Sequence, residues 1–120
     1  MNINELSGAD LDLEVAKCEG GVFHMRQYSG VNPGPEFPAI QWRYDWQELC
    51  NYTPSTDWEQ GGPIIEREGI TVSKEKGGWS AYFRDNLFED DGSEHWQTGP
   101  TPLIAAMRCY VASKQGESNE

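Results

Sequence analysis

The stretch "ITVSKEKGGWSAYFR", residues 70–84, decides the reading of the fold. Ile70 and Val72 alternate with polar neighbours, and so do Trp79, Ala81 and Phe83, which is the two-residue period of a strand with one apolar face. Between the two runs, "KEKGG" supplies polar turn residues and a glycine where positive φ is needed. The pattern predicts a hairpin whose apolar face has to be covered. The covers that the rest of the chain offers are a first and a last helix.

The last helix is read in "TGPTPLIAAMRCYVASKQG", residues 98–116. Thr101 is the expected N-cap and Pro102 the first helical residue, while Lys114 falls in the last turn and Gly116 past the end. Leu103, Ile104, Met107, Tyr110 and Val111 make a broad apolar stripe with Arg108 at its edge. A half-buried guanidinium needs a carboxylate or carbonyl partner, and Asp57 or an acidic residue of the first helix is expected to supply it. Between hairpin and helix, "DNLFEDDGSEHWQTG" reads as a solvated acidic loop with a short third strand near His95 and Trp96.

On the other side of the hairpin stands "YTPSTDWEQGGPIIEREG", residues 52–69. Ser55 or Thr56 is expected to cap a short helix that Gly61 and Gly62 end. Pro63 then opens a further turn, closed by Gly69 before Ile70. A bent or two-part helix is the expectation, with a strand over residues 63–68 as the open alternative. "LSGADLDLEVAKCEGG", residues 6–21, is a helix with Ser7 as N-cap, Asp10 in capping-box position and Leu6 stapled to Leu11, stopped by Gly20 and Gly21. It carries two apolar stripes, Leu11, Val15 and Cys18 on one side and Ala9, Leu13 and Ala16 on the other. The second stripe is expected inside the domain or against another chain. Between these helices "GVFHMRQY" can form a strand, and Pro33, Pro35 and Pro38 mark a loop. Trp42, Tyr44 and Trp46 alternate as one aromatic strand face, which is expected to cover a core rather than stack bases, because no basic groove accompanies it.

Length and charge set the bounds. A chain of 120 residues makes one domain, here read as residues 1–116 with a Pro-rich insertion at 29–39 and a frayed tail at 117–120. Twenty acidic against nine basic residues give a net charge of −11, which repels phosphates and excludes duplex nucleic acid as a direct partner. With no membrane-length apolar run and no signal-peptide pattern at "MNINELSGAD", a cytoplasmic protein is expected. Cys18, Cys50 and Cys109 have neither disulfide nor zinc spacing and are read as reduced, mostly buried thiols; His24 and His95 stand far apart. No metal and no cofactor are expected.

Three pieces taken together, "LDLEVAKCEG", "YTPSTDWEQGGPIIEREGITV" with "GGWSAY", and "GPTPLIAAMRCYVASK", resemble the NinX-like family of small proteins encoded by lambdoid bacteriophages and prophages of enteric bacteria. Order, spacing and wording match over most of the chain, and the Pro-rich region and acidic loop are its variable parts. The resemblance implies expression inside a bacterial host and brings no catalytic residue with it. It also implies kinship with small phage domains of α/β/α sandwich form.

The fold class expected is α+β, a short antiparallel sheet made of the 70–84 hairpin and one or two further strands, packed with N- and C-terminal helices. The function expected is binding rather than catalysis, because no P-loop, G-x-S-x-G or Rossmann glycine pattern is present. A host or phage protein is the first partner considered, with Ala9, Leu13 and Ala16 as the interface, and homo-oligomerisation is a related outcome. The alternative is sequestration of a small nucleotide-like ligand, for which Tyr52, Asp57, Trp58, Trp79, Arg84, Thr101 and Arg108 are the candidate residues. A role as accessory factor in phage DNA metabolism follows from the phage setting by association only.

Overall fold

The computed structural model describes residues 3–27, 35–83 and 97–118. In chain order it contains α1 (Gly8–Cys18), β1 (Val22–Gln27), β2 (Glu36–Gln41), β3 (Trp46–Glu48), α2 (Trp58–Glu68), β4 (Ile70–Glu75), β5 (Gly78–Phe83), β6 (Gln97–Gly99) and α3 (Pro102–Ser118), with short 3-10 turns at Ile3–Glu5 and Leu49–Asn51. The class is α+β, as expected, but with two antiparallel sheets of three strands, β1-β2-β3 and β4-β5-β6.

The predicted hairpin forms, and its register is now defined. Ile70 faces Phe83, Val72 faces Ala81 and Lys74 faces Trp79. Gly77 turns the chain at φ +88°, a conformation that a side chain would strain. Opposed residues share a face, so this one face collects all the apolar side chains of the hairpin. Ile70 and Ala81 are buried, and Val72, Trp79 and Phe83 pack against the same cluster. The third strand pairs Gly99 with Trp79 and Gln97 with Ala81, just past the predicted position; His95 and Trp96 themselves lie outside the described residues.

Helix α3 packs on this sheet and is met from its other side by α1 and α2. It starts as its cap chemistry dictates, with the Ile104 N–H donating to Thr101 Oγ1 at 3.1 Å. The expected stripe is a correction, because every residue from Ala105 to Ser113 is buried. A helix covered all round forms where neighbours can approach closely, and Ala105, Ala106, Cys109, Ala112 and Ser113 are small enough to allow that. Its end is corrected too. The helix continues through Gly116 to Ser118, since a lone glycine costs a helix only about 1 kcal/mol and does not stop it.

Leu11 and Val15 of α1 enter the same core, each worth roughly 1.5–3 kcal/mol for its burial. The helix ends at Gly20, φ +97°, as predicted. Ser7 stands at the N-cap position but its side chain makes no capping hydrogen bond, and Asp10 is exposed. The second stripe is filled within the chain. Ala16 is fully buried against Ile40 and Leu49, with Leu13 packed beside them, while Ala9 is exposed.

Helix α2 departs most from expectation. Its N-cap is Asp57, not Ser55 or Thr56, with Oδ1 accepting from the Glu59 N–H at 3.0 Å. One helix runs through Gly61, Gly62 and Pro63 to Gly69, which closes it in the left-handed conformation at φ 71°. Residues 63–68 are therefore helical. Gly61 does not end the helix; it lets the helix touch its neighbours, because a Cβ there would lie 2.7 Å from Leu103 Cδ2 and would also strike the Pro54 carbonyl.

The second sheet takes in only the end of the loop expected at the prolines, since β2 begins at Glu36 and Pro33 lies outside the described residues. β2 includes Pro38, which is opposed by Met25 of β1 and lies one residue beyond the β3 pairing that begins at Ala39. Its missing N–H is tolerated where the strand has a neighbour on one side only. Trp42, Tyr44 and Trp46 are not one strand face: Tyr44 lies inside a hairpin turn that the Trp42 N–H closes on the Asp45 carbonyl at 2.8 Å, and Trp46 follows it in β3. Trp42 turns inward to Tyr52, whereas Trp46 lies under Arg26 and against His24. Residues 28–34 and the acidic stretch 84–96 lie outside the described residues. Among the described residues no helix is long and apolar enough to cross a membrane.

Candidate functional site

The predicted ligand residues do not converge on one place; five of them divide among three clefts, and Asp57 lines none of these. The first, 470 Å³, is lined by Glu19, Trp42, Gln47, Tyr52, Gln60, Pro63, Ile64 and Arg67 and contains Tyr52 alone of the predicted set. The Tyr52 ring lies 5.5 Å from that of Trp42, and burial pushes its hydroxyl well above the usual tyrosine range. Beside it sits a polar network that the sequence reading missed. Arg67 donates through Nη1 and Nη2 to the two Glu19 oxygens at 2.9 and 2.6 Å, and the Tyr110 hydroxyl donates to the same carboxylate. Burial works to raise the Glu19 pKa, but the hydrogen bonds from Arg67 and Tyr110 and the charge of Arg67 outweigh it and hold the carboxyl below its ordinary value. A carboxylate held ionised in this way makes a poor general acid. Glu19 directly precedes the helix-ending glycines and was readable only as a helix terminus.

The second cleft, 200 Å³, is lined by Ser55, Thr56, Trp58, Thr101, Pro102, Leu103 and Ile104. It brings Trp58 and Thr101 together. Trp58 is 55% exposed, but Thr101 Oγ1 is engaged as the α3 cap. Asp57 is engaged likewise, capping α2 and accepting from Gln60 Nε2 at 3.2 Å. Under this cleft, Ser55 donates its N–H at 2.8 Å to Asp12 Oδ1, and Asp12 is only 3% exposed. Burial raises the Asp12 pKa and this bond lowers it, with burial prevailing.

The third cleft, 480 Å³, lies between the β4–β5 turn and the link from β6 to α3, and it joins Trp79 to Arg108. Arg108 is 9% exposed, and neither Asp57 nor an acidic residue of α1 holds it. Its Nε and Nη1 donate to the carbonyls of Leu6 and Thr98, each at 2.8 Å. The expected partner is a carbonyl rather than Asp57 or an α1 carboxylate, because α3 carries Arg108 beside β6, where among the described residues backbone oxygens accept from it. Burial disfavours its charged form. Arg84 lies outside the described residues.

A fourth surface escaped the sequence reading. All six residues of β1 are exposed, among them Val22 at 53%, Phe23 at 38% and Met25 at 48%, with Trp46 at 42% on β3 of the same sheet and Tyr44 at 82% in the β2–β3 turn. Among the described strands β1 pairs with β2 alone. The apolar residues of "VFHMRQ" were the available signal, but burial was the natural assumption for them.

The thiols differ from one another. Cys109 is buried and its pKa is pushed by burial to about 12, Cys18 is half-buried with burial raising it to about 11, and Cys50 is exposed, contrary to the expectation of mostly buried thiols. Among the described residues no three His, Cys, Asp or Glu side chains converge as a metal site would require. No curated protein matches the chain. The model of the family described as Bacteriophage P22, NinX matches residues 2–114, and the chain belongs to that family.

Proposed function

From this phage family membership, we propose that the chain is an accessory protein of the infected bacterial cytoplasm that works by binding rather than catalysis, with a host protein as its partner. The observation that carries the reading is the exposed apolar strand β1. An edge strand with Val22, Phe23 and Met25 turned to solvent is a template for a partner's extended segment, which would add main-chain hydrogen bonds to apolar contact. The stripe Ala9, Leu13 and Ala16 is not the surface proposed, since Ala16 is fully buried. Support for binding over catalysis comes from the carboxylates, since Asp57 caps a helix and Glu19 is locked to Arg67.

The test is affinity capture from host lysate by the wild type and by a Phe23→Asp, Met25→Asp double variant of equal melting temperature. A host protein identified by mass spectrometry should be retained by the first and lost by the second, and retention should survive about 0.5 M salt, where exposed charge pairs are screened. Identical retention by both variants would sink the reading. Light scattering on the isolated protein separates a second copy from a host partner on the same strand. A second reading, capture of a small nucleotide-like ligand, is supported by the meeting of Trp79 and Arg108 in one cleft.

A further inference from the structure

We propose that the cleft between the β4–β5 turn and the β6–α3 link binds a small oxyanion, a carboxylate or phosphate carried on a flat group, with Arg108 as its charge partner and Trp79 as its wall. This deepens the small-ligand reading and is independent of the β1 surface.

The argument starts from charge. Arg67 binds two carboxylates, those of Glu19 and Glu68, while half-exposed to water. Arg108 is far more buried, yet among the described residues no carboxylate oxygen comes within ion-pair distance of it. The carbonyls of Leu6 and Thr98 fix the plane of its guanidinium at Nε and Nη1 without cancelling its charge. Among the described residues this buried cation has no counter-ion, which is costly, and a diffusible anion would supply one. The two fixed bonds hold the guanidinium plane and leave Nη2 with no hydrogen-bond partner among the described residues, so its N–H groups can donate to an oxyanion.

The surroundings suit such a ligand. A volume of 480 Å³ lies in the range of small-molecule sites. Gly77, Gly78 and Gly99 line the cleft without side chains, which leaves room for a ligand there. Lys76 lines the cleft as an exposed second cation, and Trp79, packed against the core with Lys74 Nζ 5.5 Å from its ring centroid, supplies an aromatic wall. Glu75 also lines the cleft, but its Oε2 accepts from Ser73 and Ser80, each at 3.3 Å, on the hairpin face opposite Lys74 and Trp79.

The experiment is an amide NMR titration of the full chain with four probes: adenosine monophosphate, benzoate, inorganic phosphate and adenosine. Saturable shifts at Gly77, Gly78 and Gly99 with adenosine monophosphate or benzoate, and none with adenosine, are expected. The phosphate and benzoate arms tell which oxyanion is preferred. Arg108→Gln should abolish the shifts. Because that variant also loosens the ties to Leu6 and Thr98, Lys76→Glu provides a change confined to the surface, and it should weaken binding by about threefold or more. No saturable shift with any oxyanion, equal binding of adenosine, or an unchanged affinity in Lys76→Glu would each overturn the proposal. Saturable adenosine monophosphate binding mapped to other amides would sink this site while leaving the small-ligand reading standing.

Discussion

Glu19, Arg67 and Tyr110 show how much one side chain gains from its setting. Arg67 is half-exposed, so the pair is worth only about 1 kcal/mol once solvent screening is allowed for. Its pH dependence has a definite sign. The folded Glu19 pKa is depressed, so this stabilisation is fully present above the ordinary glutamate value of 4.5 and is lost as pH falls through the lower folded value. Urea unfolding should therefore show Glu19→Gln less stable than wild type near neutral pH, with the gap closing below pH 4.5. A gap that persists unchanged in acid would mean that the carboxylate charge is not what stabilises. Asp12 acts with the opposite sign, its folded pKa being raised by burial, so it favours the folded state as it gains its proton. The chain placed Asp12 between two apolar stripes without revealing that the Ser55 amide would meet it.

At the scale of elements, α2 carries a built-in cost. Pro63 removes one helical hydrogen bond and crowds the carbonyl four residues back, a penalty of about 3 kcal/mol in a regular helix. The flexible Gly62 before it relieves part of that crowding, and Gly61 brings the helix close enough to Leu103 to recover packing. The sequence rule that predicted a break weighed only the local cost. Replacing the exposed Pro63 with alanine should raise stability by about 1–3 kcal/mol, less whatever proline's stiffness takes from the unfolded chain, as read by thermal melting. A lower melting temperature would show that the ring itself makes contacts the helix depends on.

Two clusters organise the described residues. The larger joins α1, α2, α3 and the β4-β5-β6 sheet, and the smaller holds β1-β2-β3 to α1 through Ala16, Ile40 and Leu49. Tyr52 packs against both. So small a second core implies unequal local stability. Amides of β1 and β2 should exchange with solvent faster, by about tenfold or more, than those of β4, β5 and α3. Uniform protection across both sheets would refute this division. The same looseness would suit a strand that accepts a partner.

By itself the sequence determined the local events. The hairpin with its apolar face, Gly77, the Thr101 cap with Pro102 and the stop at Gly20 depend on neighbours a few residues away, and their chemistry is written in the chain. The meeting of Trp79 with Arg108 was legible only as two candidates for one task. Tertiary structure alone decided that α3 would be covered on every side, that "EFPAIQ" would be a strand despite Pro38, that Ala16 would lie under Ile40, and that Arg108 would find carbonyls instead of a carboxylate. Each of these is settled by what a distant segment offers at close range. Packing and charge between segments far apart in the chain follow from geometry that no window of sequence contains.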